Sequence, residues 1–241
     1  MGCALERISE VSGTGAEPIG VWERLFEEFL MSRAIAGPTD PAHDLAHVRR
    51  VVVNAKALAA REGARLEVVV PAAWLHDCVI VPKDSLARPR ASALAAAVAR
   101  GFLGSIDYPA ELVPHVEHAI EAHSFSAGVP PRTPEARVIQ DADRLDALGA
   151  IGLARCLMLG ATMERALYDE REPVPRDRAP DDSRFVLDHL FTKLLRLEET
   201  MATASGRAEA RVRTEFLRHF VEQFERDIAP PRLDAASVSQ V

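Results

Sequence analysis

Histidine and aspartate side chains that could bind a cation occur at three separate places in the 241-residue chain. These places are the run from His43 to His47, the pair His76-Asp77, and the run from Gln140 to Asp146, which contains three aspartates. Imidazole nitrogens and carboxylate oxygens are both ligands of divalent metal ions. A cation held by such residues could support hydrolytic chemistry if the fold brings the three places together.

In the first run, Asp44 precedes His47 by three residues at the start of a predicted helix. A spacing of three and four residues places His43 and Asp44 near the side of the helix that carries His47. The alternative is an aspartate near a helix N-terminus with solvated histidines, because negative charge is common at that position.

The pair His76-Asp77 lies within an apolar segment that includes Trp74 and Leu75 before it and Val79 after it. In a helix that is apolar on every side both residues lie in the interior, where an ionised carboxylate needs a compensating charge. One divalent cation bound to both side chains would supply that charge. A core histidine with satisfied hydrogen bonds beside a capping aspartate is the alternative.

The third run places Asp141, Asp143 and Asp146 in an otherwise apolar helical segment. A rotation of about 100° per residue puts Asp146 nearest the apolar stripe and Asp143 on its flank. Three acids spread across one helix indicate that at least one faces a cation or a basic group. Periodicity alone does not choose between Asp143 and Asp146.

Three further histidines share one predicted helix, in which Leu112, Val116, Ala119 and Ile120 form an apolar stripe. The same rotation places His123 at the centre of the stripe and predicts that its side chain points inward. The other two histidines, His115 and His118, fall on the edge of the stripe and well off it. A core histidine is the simplest interpretation of His123.

The elements that must position these residues are predicted to be helices almost throughout, and strand signals are nearly absent. Apolar residues recur every three and four positions in residues 21–30, 48–59, 69–79, 91–103, 109–124, 135–160, 185–204 and 208–228. Residues 169–184 are charged and contain three prolines, which predicts a long loop or lid. We expect one all-α domain over 19–229, between flexible tails at 1–18 and 230–241.

The amino-acid composition argues against several classes of binding partner. The net charge of −7 and the pI near 5.7 argue against binding to duplex nucleic acid. The longest apolar stretch, residues 68–75, is far shorter than the roughly twenty residues that cross a bilayer. Three widely separated cysteines form neither a disulfide framework nor a metal-binding pair. We expect a cytoplasmic protein that does not bind membranes, and its oligomeric state is open.

The order His47, then His76-Asp77, then Asp143 resembles the H…HD…D signature of the HD superfamily of metal-dependent phosphohydrolases. The stretches that carry the wider resemblance are HDLAHVRRV, LHDCVIVPKDS, AHSFS, QDADRLDALGAIGLAR, YDERE and HLFTKLLRL. They are similar to a bacterial branch of that superfamily that is related to nucleotide pyrophosphohydrolases. The resemblance implies an all-α, HD-domain helical bundle.

The resemblance also implies a ligand set for one divalent metal ion, which would be Mn²⁺, Mg²⁺, Co²⁺ or Ni²⁺. The implied ligands are His47, His76, Asp77 and Asp143. Asp146 then becomes an acid that packs the helix or supports a ligand, and Asp44 is expected to orient a ligand imidazole.

The remaining site residues are expectations of the same kind. Several HD nucleotidases have an acidic residue four positions after the histidine of the HD pair, where this chain has Ile80. Asp84 is therefore a candidate base, and His123 a candidate that binds phosphate or protonates the leaving oxygen. The candidate phosphate-binding residues are Lys83, Arg144, Arg171 and Lys193.

The resemblance, carried by these residues, implies a phosphohydrolase of a small phosphorylated metabolite that uses a metal-activated water. The expected substrate is a nucleoside triphosphate, cleaved to monophosphate and pyrophosphate. A phosphomonoesterase or a cyclic-nucleotide phosphodiesterase would use the same ligands, and a non-catalytic sensor of metal and nucleotide is a third possibility.

Overall fold

A computed structural model describes residues 19–34, 44–81, 85, 87–124 and 127–229, and this part of the chain is helical. It contains no β-strand, and one isolated bridge joins Ala166 to Phe185. The α-helices of the described residues are α1 (Ile19–Ala34), α2 (Leu45–Glu62), α3 (Leu66–Leu75), α4 (Ala91–Ser105), α5 (Val113–His123), α6 (Pro134–Asp146), α7 (Gly149–Thr162), α8 (Asp188–Thr192) and α9 (Ala204–Ile228). The all-α prediction is confirmed.

Helix α3 is the centre of the core, because its residues from Val68 to Leu75 are all buried. A helix that is apolar all round is stable only when other elements surround it. Pro71 has no N–H, so the carbonyl of Glu67 loses its helical partner. The hydroxyl of Tyr108 donates to that carbonyl at 2.5 Å, which replaces the missing bond.

Helices α2, α5 and α6 pack against α3, and α6 also packs against α2 and α5. Polar caps fix where two of them begin: Asp44 accepts from the His47 N–H at α2, and Thr133 accepts from the Ala136 N–H at α6. His47 therefore lies in the first turn of α2, and His76 directly follows α3. The core helices thus bring the ends that carry the candidate residues to one place.

Two predicted helices are interrupted in the structure. The segment 135–160 divides into α6 and α7, which meet at a bend of 64°. Gly149 has a φ of +68°, which favours glycine, and a Cβ on Gly152 would lie 2.1 Å from the carbonyl oxygen of Ala147. The segment 185–204 divides into α8 and a 3₁₀-helix, Leu194–Thr200. Helical periodicity continues across both breaks, so it does not reveal them.

The predicted loop 169–184 has no helix, as expected, and polar contacts tie it to the domain. Arg178 donates to both carboxylate oxygens of the buried Asp188, and Arg176 pairs with Glu225 of α9. The carboxylate of Glu172 also accepts from successive backbone N–H groups of Arg176, Asp177 and Arg178. These contacts give the segment a defined path along α8 and α9.

The predicted tails, 1–18 and 230–241, lie outside the described residues. Within the described ranges, no single helix is both long and apolar enough to cross a bilayer. Helices α6 and α7 would pass that test only when joined across their bend.

The contact between α7 and the segment before α8 is close enough to predict a stability effect. A Cβ on Gly160 would lie 2.3 Å from Cγ2 of the buried Val186, whose branched side chain has little freedom. We expect Gly160→Ala to lower the free energy of unfolding by about 1–3 kcal/mol. Gly101→Ala on α4 is the control, because no atom lies within 4 Å of its added Cβ. It should raise stability by about 0.5–1 kcal/mol in the same urea titration. Equal midpoints for the two variants would contradict the close contact.

Candidate metal centre

Five ionisable side chains meet where the core helices end. His47 lies in the first turn of α2, His76 and Asp77 follow α3, His123 ends α5, and Asp143 lies in the last turn of α6. An oxygen of Asp143 lies 3.5 Å from Nε2 of His47 and 3.9 Å from Nε2 of His76. Oxygens of Asp77 lie 3.6 Å from Nε2 of His76 and 3.5 Å from Nε2 of His123. The structure thus brings together the four predicted ligands and His123.

The imidazoles of His47 and His76 are held with Nε2 toward the cluster. Nδ1 of His47 lies 2.7 Å from Asp146, and Nδ1 of His76 lies 2.8 Å from the carbonyl oxygen of Ala73. Both partners are acceptors, so Nδ1 of each ring carries the proton and Nε2 carries the lone pair. Burial lowers the pKa of His76, which keeps this ring neutral and able to act as a ligand.

The cluster fits a divalent cation. Nε2 of His76 is fully buried and has no hydrogen-bond partner among the described residues, and a buried polar atom without a partner is costly. The separations of 3.5–3.9 Å between its donor atoms exceed hydrogen-bond length. The ligand atoms of His47, His76 and Asp143 all lie within 4.8 Å of one another, and so do those of His76, Asp77 and His123. Nitrogen and oxygen ligands in this arrangement could hold an ion between them.

The prediction that the resemblance made for Asp146 agrees with its position. Its carboxylate accepts from His47 on one side and from Arg50 and Arg155 on the other. Burial acts to raise the pKa of Asp146, and the bonds from His47 and Arg50 with the charge of Arg155 outweigh it and hold the pKa well below its usual range. Asp146 therefore stays ionised and fixes the ring of His47. Sequence reasoning missed Arg50, although it lies one turn after His47 on the same helix.

Asp44 contacts the backbone of His47 rather than its imidazole ring. Its carboxylate accepts from the backbone N–H of His47 at 2.7 Å, and the residue is exposed. Asp44 is thus the N-cap of α2, and it fixes where the helix begins. Asp146 orients the imidazole instead.

This difference predicts opposite results for two matched substitutions. Asp146→Asn should weaken metal affinity about 10- to 100-fold, because the amide cannot hold the ring of His47 and both guanidinium groups as the carboxylate does. Asp44→Asn should leave affinity unchanged, since asparagine caps a helix as well as aspartate does. Competition with a fluorescent chelator measures both affinities. An equal loss in the two variants would contradict the assignment of Asp146.

His123 lies inside the domain, as its place on the apolar stripe of α5 predicts. Its Nδ1 lies 2.6 Å from the carbonyl oxygen of Ile120, so Nε2 faces Asp77. Burial opposes a charge on this ring, but the interactions with Asp77 and Asp143 outweigh it and raise the pKa of His123. These two carboxylates therefore favour the protonated form of the ring when no cation neutralises them.

A cavity with a volume of about 750 Å³ opens beside the cluster. We call it the α7 cavity, because one face of α7 lines it. Asp77, His123 and Asp143 line one part of it, and Arg144 and Lys193 line it too. This volume is within the usual range for a small-molecule site. Both of these predicted phosphate-binding residues therefore lie where a ligand could reach them.

Of the three remaining candidates, two lie outside the described residues and one lies away from the cavity. Lys83 and Asp84 lie outside the described residues. Arg171 is exposed, does not line the α7 cavity, and its N–H donates to the side chain of Asp169. The prediction that Arg171 reaches the phosphates is therefore not supported, because the contacts of the loop 169–184 hold it elsewhere.

Comparison with known proteins points to one family. The family sequence model of the HD domain matches residues 44–148, the part of the chain that contains all four predicted ligands. The protein YpgQ of Bacillus subtilis is 34% identical over 197 residues, which cover 80% of this chain and 87% of YpgQ.

Solved structures give the same result. An HD-superfamily hydrolase of Bacillus thuringiensis superposes with a TM-score of 0.68 at 31% identity, over 86% of this chain and 97% of that one. The structure of Bacillus subtilis YpgQ in complex with ADP superposes with a TM-score of 0.66 at 29% identity, over 88% of this chain and all of that one. By its sequence, its fold and the arrangement of its histidines and aspartates, the chain belongs to the HD-domain family.

Proposed function

We propose that the protein is a metal-dependent phosphohydrolase that cleaves nucleoside triphosphates to monophosphate and pyrophosphate. The observation that carries the proposal is the convergence of His47, His76, Asp77 and Asp143, of which the two aspartates line a cavity large enough for a nucleotide. The relative YpgQ has been solved with ADP, which supports a nucleotide as the ligand.

The chemistry requires a cation, and the cluster would hold one through two imidazole nitrogens and two carboxylates. When bound, a divalent ion would polarise a phosphoryl oxygen and lower the pKa of a water molecule. The protein would hold the metal ligands in fixed positions. Asp146 fixes the ring of His47, and the carbonyl group of Ala73 fixes the ring of His76.

Side chains of the α7 cavity would bind and orient the phosphate chain. Arg144 follows Asp143 directly and lines the cavity, so its guanidinium group can approach a phosphate at the metal ligands. His123 would donate the proton from Nε2 to a phosphate or leaving-group oxygen, while Ile120 fixes the other side of its ring.

A panel of substrates and metals tests this function. The purified chain would be stripped with a chelator, reloaded with Mn²⁺, Mg²⁺, Co²⁺ or Ni²⁺, and incubated with nucleoside triphosphates, nucleoside monophosphates and cyclic nucleotides. We expect equal amounts of nucleoside monophosphate and pyrophosphate from the triphosphates, measured by anion-exchange chromatography, and no product without metal.

The other outcomes each identify a competing function. Orthophosphate released from the monophosphates would indicate a phosphomonoesterase. Opening of the cyclic nucleotides would indicate a phosphodiesterase. Nucleotide binding without turnover under any metal would indicate a sensor and would contradict the proposal.

A further inference from the structure

The α7 cavity extends well beyond the metal ligands. Helix α7 lines it with Gly152, Arg155, Cys156, Leu159 and Gly160, whose spacings of three and four residues place them on one face. From Gly152 to Gly160 that face is about 12 Å long at 1.5 Å per residue. Gly152 contacts Ala147, just after α6, so the start of α7 adjoins the metal ligands. The cavity therefore has a distal end, past the C-terminus of α7.

At this end the backbone N–H of Arg165 donates to the carbonyl oxygen of Gly160, and the N–H of His189 donates to Val186, which packs against Gly160. Asp182, Thr192 and Lys193 line the cavity with these two residues. Nδ1 of His189 lies 2.8 Å from a carboxylate oxygen of Asp182, and the hydroxyl of Thr192 donates to the same oxygen at 2.8 Å. The bonds from His189 and Thr192 lower the pKa of Asp182, so the carboxylate stays ionised. The ring of His189 is thus fixed through Nδ1, and its Nε2 has no hydrogen-bond partner in the described parts of the chain.

Two cations at this end have no carboxylate in direct contact, although the charge of Arg165 acts on nearby Asp182. Arg165 is half-buried and Lys193 is exposed, and neither forms an ion pair within 4 Å with any described residue. Arg178 in the neighbouring loop differs, because both of its terminal nitrogens are used by Asp188. A partly desolvated guanidinium group whose N–H donors contact no carboxylate favours binding of an anion.

The balance of charged residues in the whole cavity also favours an anionic ligand. Five Arg or Lys residues and three aspartates line it, in a chain whose net charge is −7. Two of those aspartates, Asp77 and Asp143, belong to the proposed metal ligands, whose charge a divalent ion would balance. The excess of positive charge is thus concentrated where a polyanionic ligand would lie.

We infer that Arg165, His189 and Lys193 form a second anion subsite, which binds a phosphate group other than the one at the metal ligands. The inference rests on the proposed function and restricts the substrate class. A single phosphate is too short to engage both ends of the cavity. The favoured substrates are therefore nucleotides with two or more phosphates, and Asp182 acts as a positioning residue for His189.

Equilibrium binding to the Mn²⁺-loaded full chain tests the subsite without requiring turnover. The probes are α,β-methylene-ATP, a triphosphate that resists cleavage between its first two phosphates, and AMP. Arg165→Gln should raise the Kd of the triphosphate analogue about 10- to 100-fold, the usual cost of a lost charge-assisted hydrogen bond. The same variant should leave the Kd of AMP within about twofold of wild type, because AMP has no second phosphate.

Two further variants keep the test decisive. Lys193→Gln should act in the same direction and changes an exposed residue, so it gives a result even if Arg165→Gln folds poorly. Arg24→Gln on α1 removes an exposed cation outside the cavity and should change neither Kd. Unchanged affinity for the analogue, or an equal loss for AMP and the analogue, would overturn the subsite. Selective loss in a protein without hydrolytic activity would leave the subsite standing and refute the proposed function.

Discussion

His76→Ala is expected to abolish metal binding and hydrolysis together. The side chain is completely buried at the centre of the cluster, and its Nε2 faces two carboxylates without a hydrogen bond of its own. Without this nitrogen, Asp77 and Asp143 lose the imidazole that faces both of them. The loss of metal catalysis should lower kcat/KM by about 10³-fold or more, since a bound ion supplies several kcal/mol of transition-state stabilisation.

The same substitution should lower the melting temperature, measured in the presence of Mn²⁺. An ion that binds only the folded chain stabilises it by about 2.7 kcal/mol at a hundred times its Kd, and the variant forfeits this gain. His219→Ala on α9 is the control, because it removes an imidazole that is 65% exposed and far from the cluster in sequence. Elemental analysis after purification without chelator decides the matter. A wild-type metal content in His76→Ala would refute the ligand set.

His123→Gln is expected to lower kcat by about 10²- to 10⁴-fold, the usual effect of losing a general acid. Glutamine can still donate to the carbonyl oxygen of Ile120, but it cannot deliver a proton to a phosphate oxygen. Folding should change little, so the melting temperature and the metal content should stay close to those of wild type.

The core interpretation of His123 predicts the reverse pattern. A histidine that only fills space would cost about 1–3 kcal/mol of stability when its buried partner is left unpaired, while kcat per folded molecule persists. Measuring kcat, melting temperature and metal content on the same preparation separates the two. A normal kcat at full metal occupancy would return His123 to the core, and loss of the metal would make it a ligand.

Asp143 and Asp146 illustrate how much of the site can be predicted from the sequence. Helical periodicity correctly places Asp146 deeper than Asp143, since their side chains are 2% and 30% exposed. Depth alone does not reveal a role, because the two carboxylates lie beside opposite nitrogens of His47. That arrangement depends on the packing of α2 against α6, which the resemblance implies and which the pattern of either helix alone does not contain.

Other features depend on contacts that are distant in sequence. The apolar pattern predicts His76 and Asp77 inside a helix, but α3 ends at Leu75 and leaves both at its C-terminal end. The bend between α6 and α7 follows from Gly149 and the close approach of Gly152 to Ala147, in a segment whose apolar pattern is continuous. The sequence does not identify His189 as a cavity residue. Its partner Asp182 lies in the loop 169–184, and the apolar periodicity of the helices does not predict how a loop residue contacts them.

The most direct test of the metal-dependent mechanism is a titration of activity against bound metal. Chelator-stripped protein would be reloaded with increasing Mn²⁺, and the rate of nucleoside triphosphate hydrolysis would be recorded against the bound ions per chain. We predict that activity is absent without metal, rises in proportion to bound Mn²⁺, and reaches its plateau near about one ion per chain. Hydrolysis that persists at full rate in the stripped protein, or a protein that binds none of the four metals, would contradict the account.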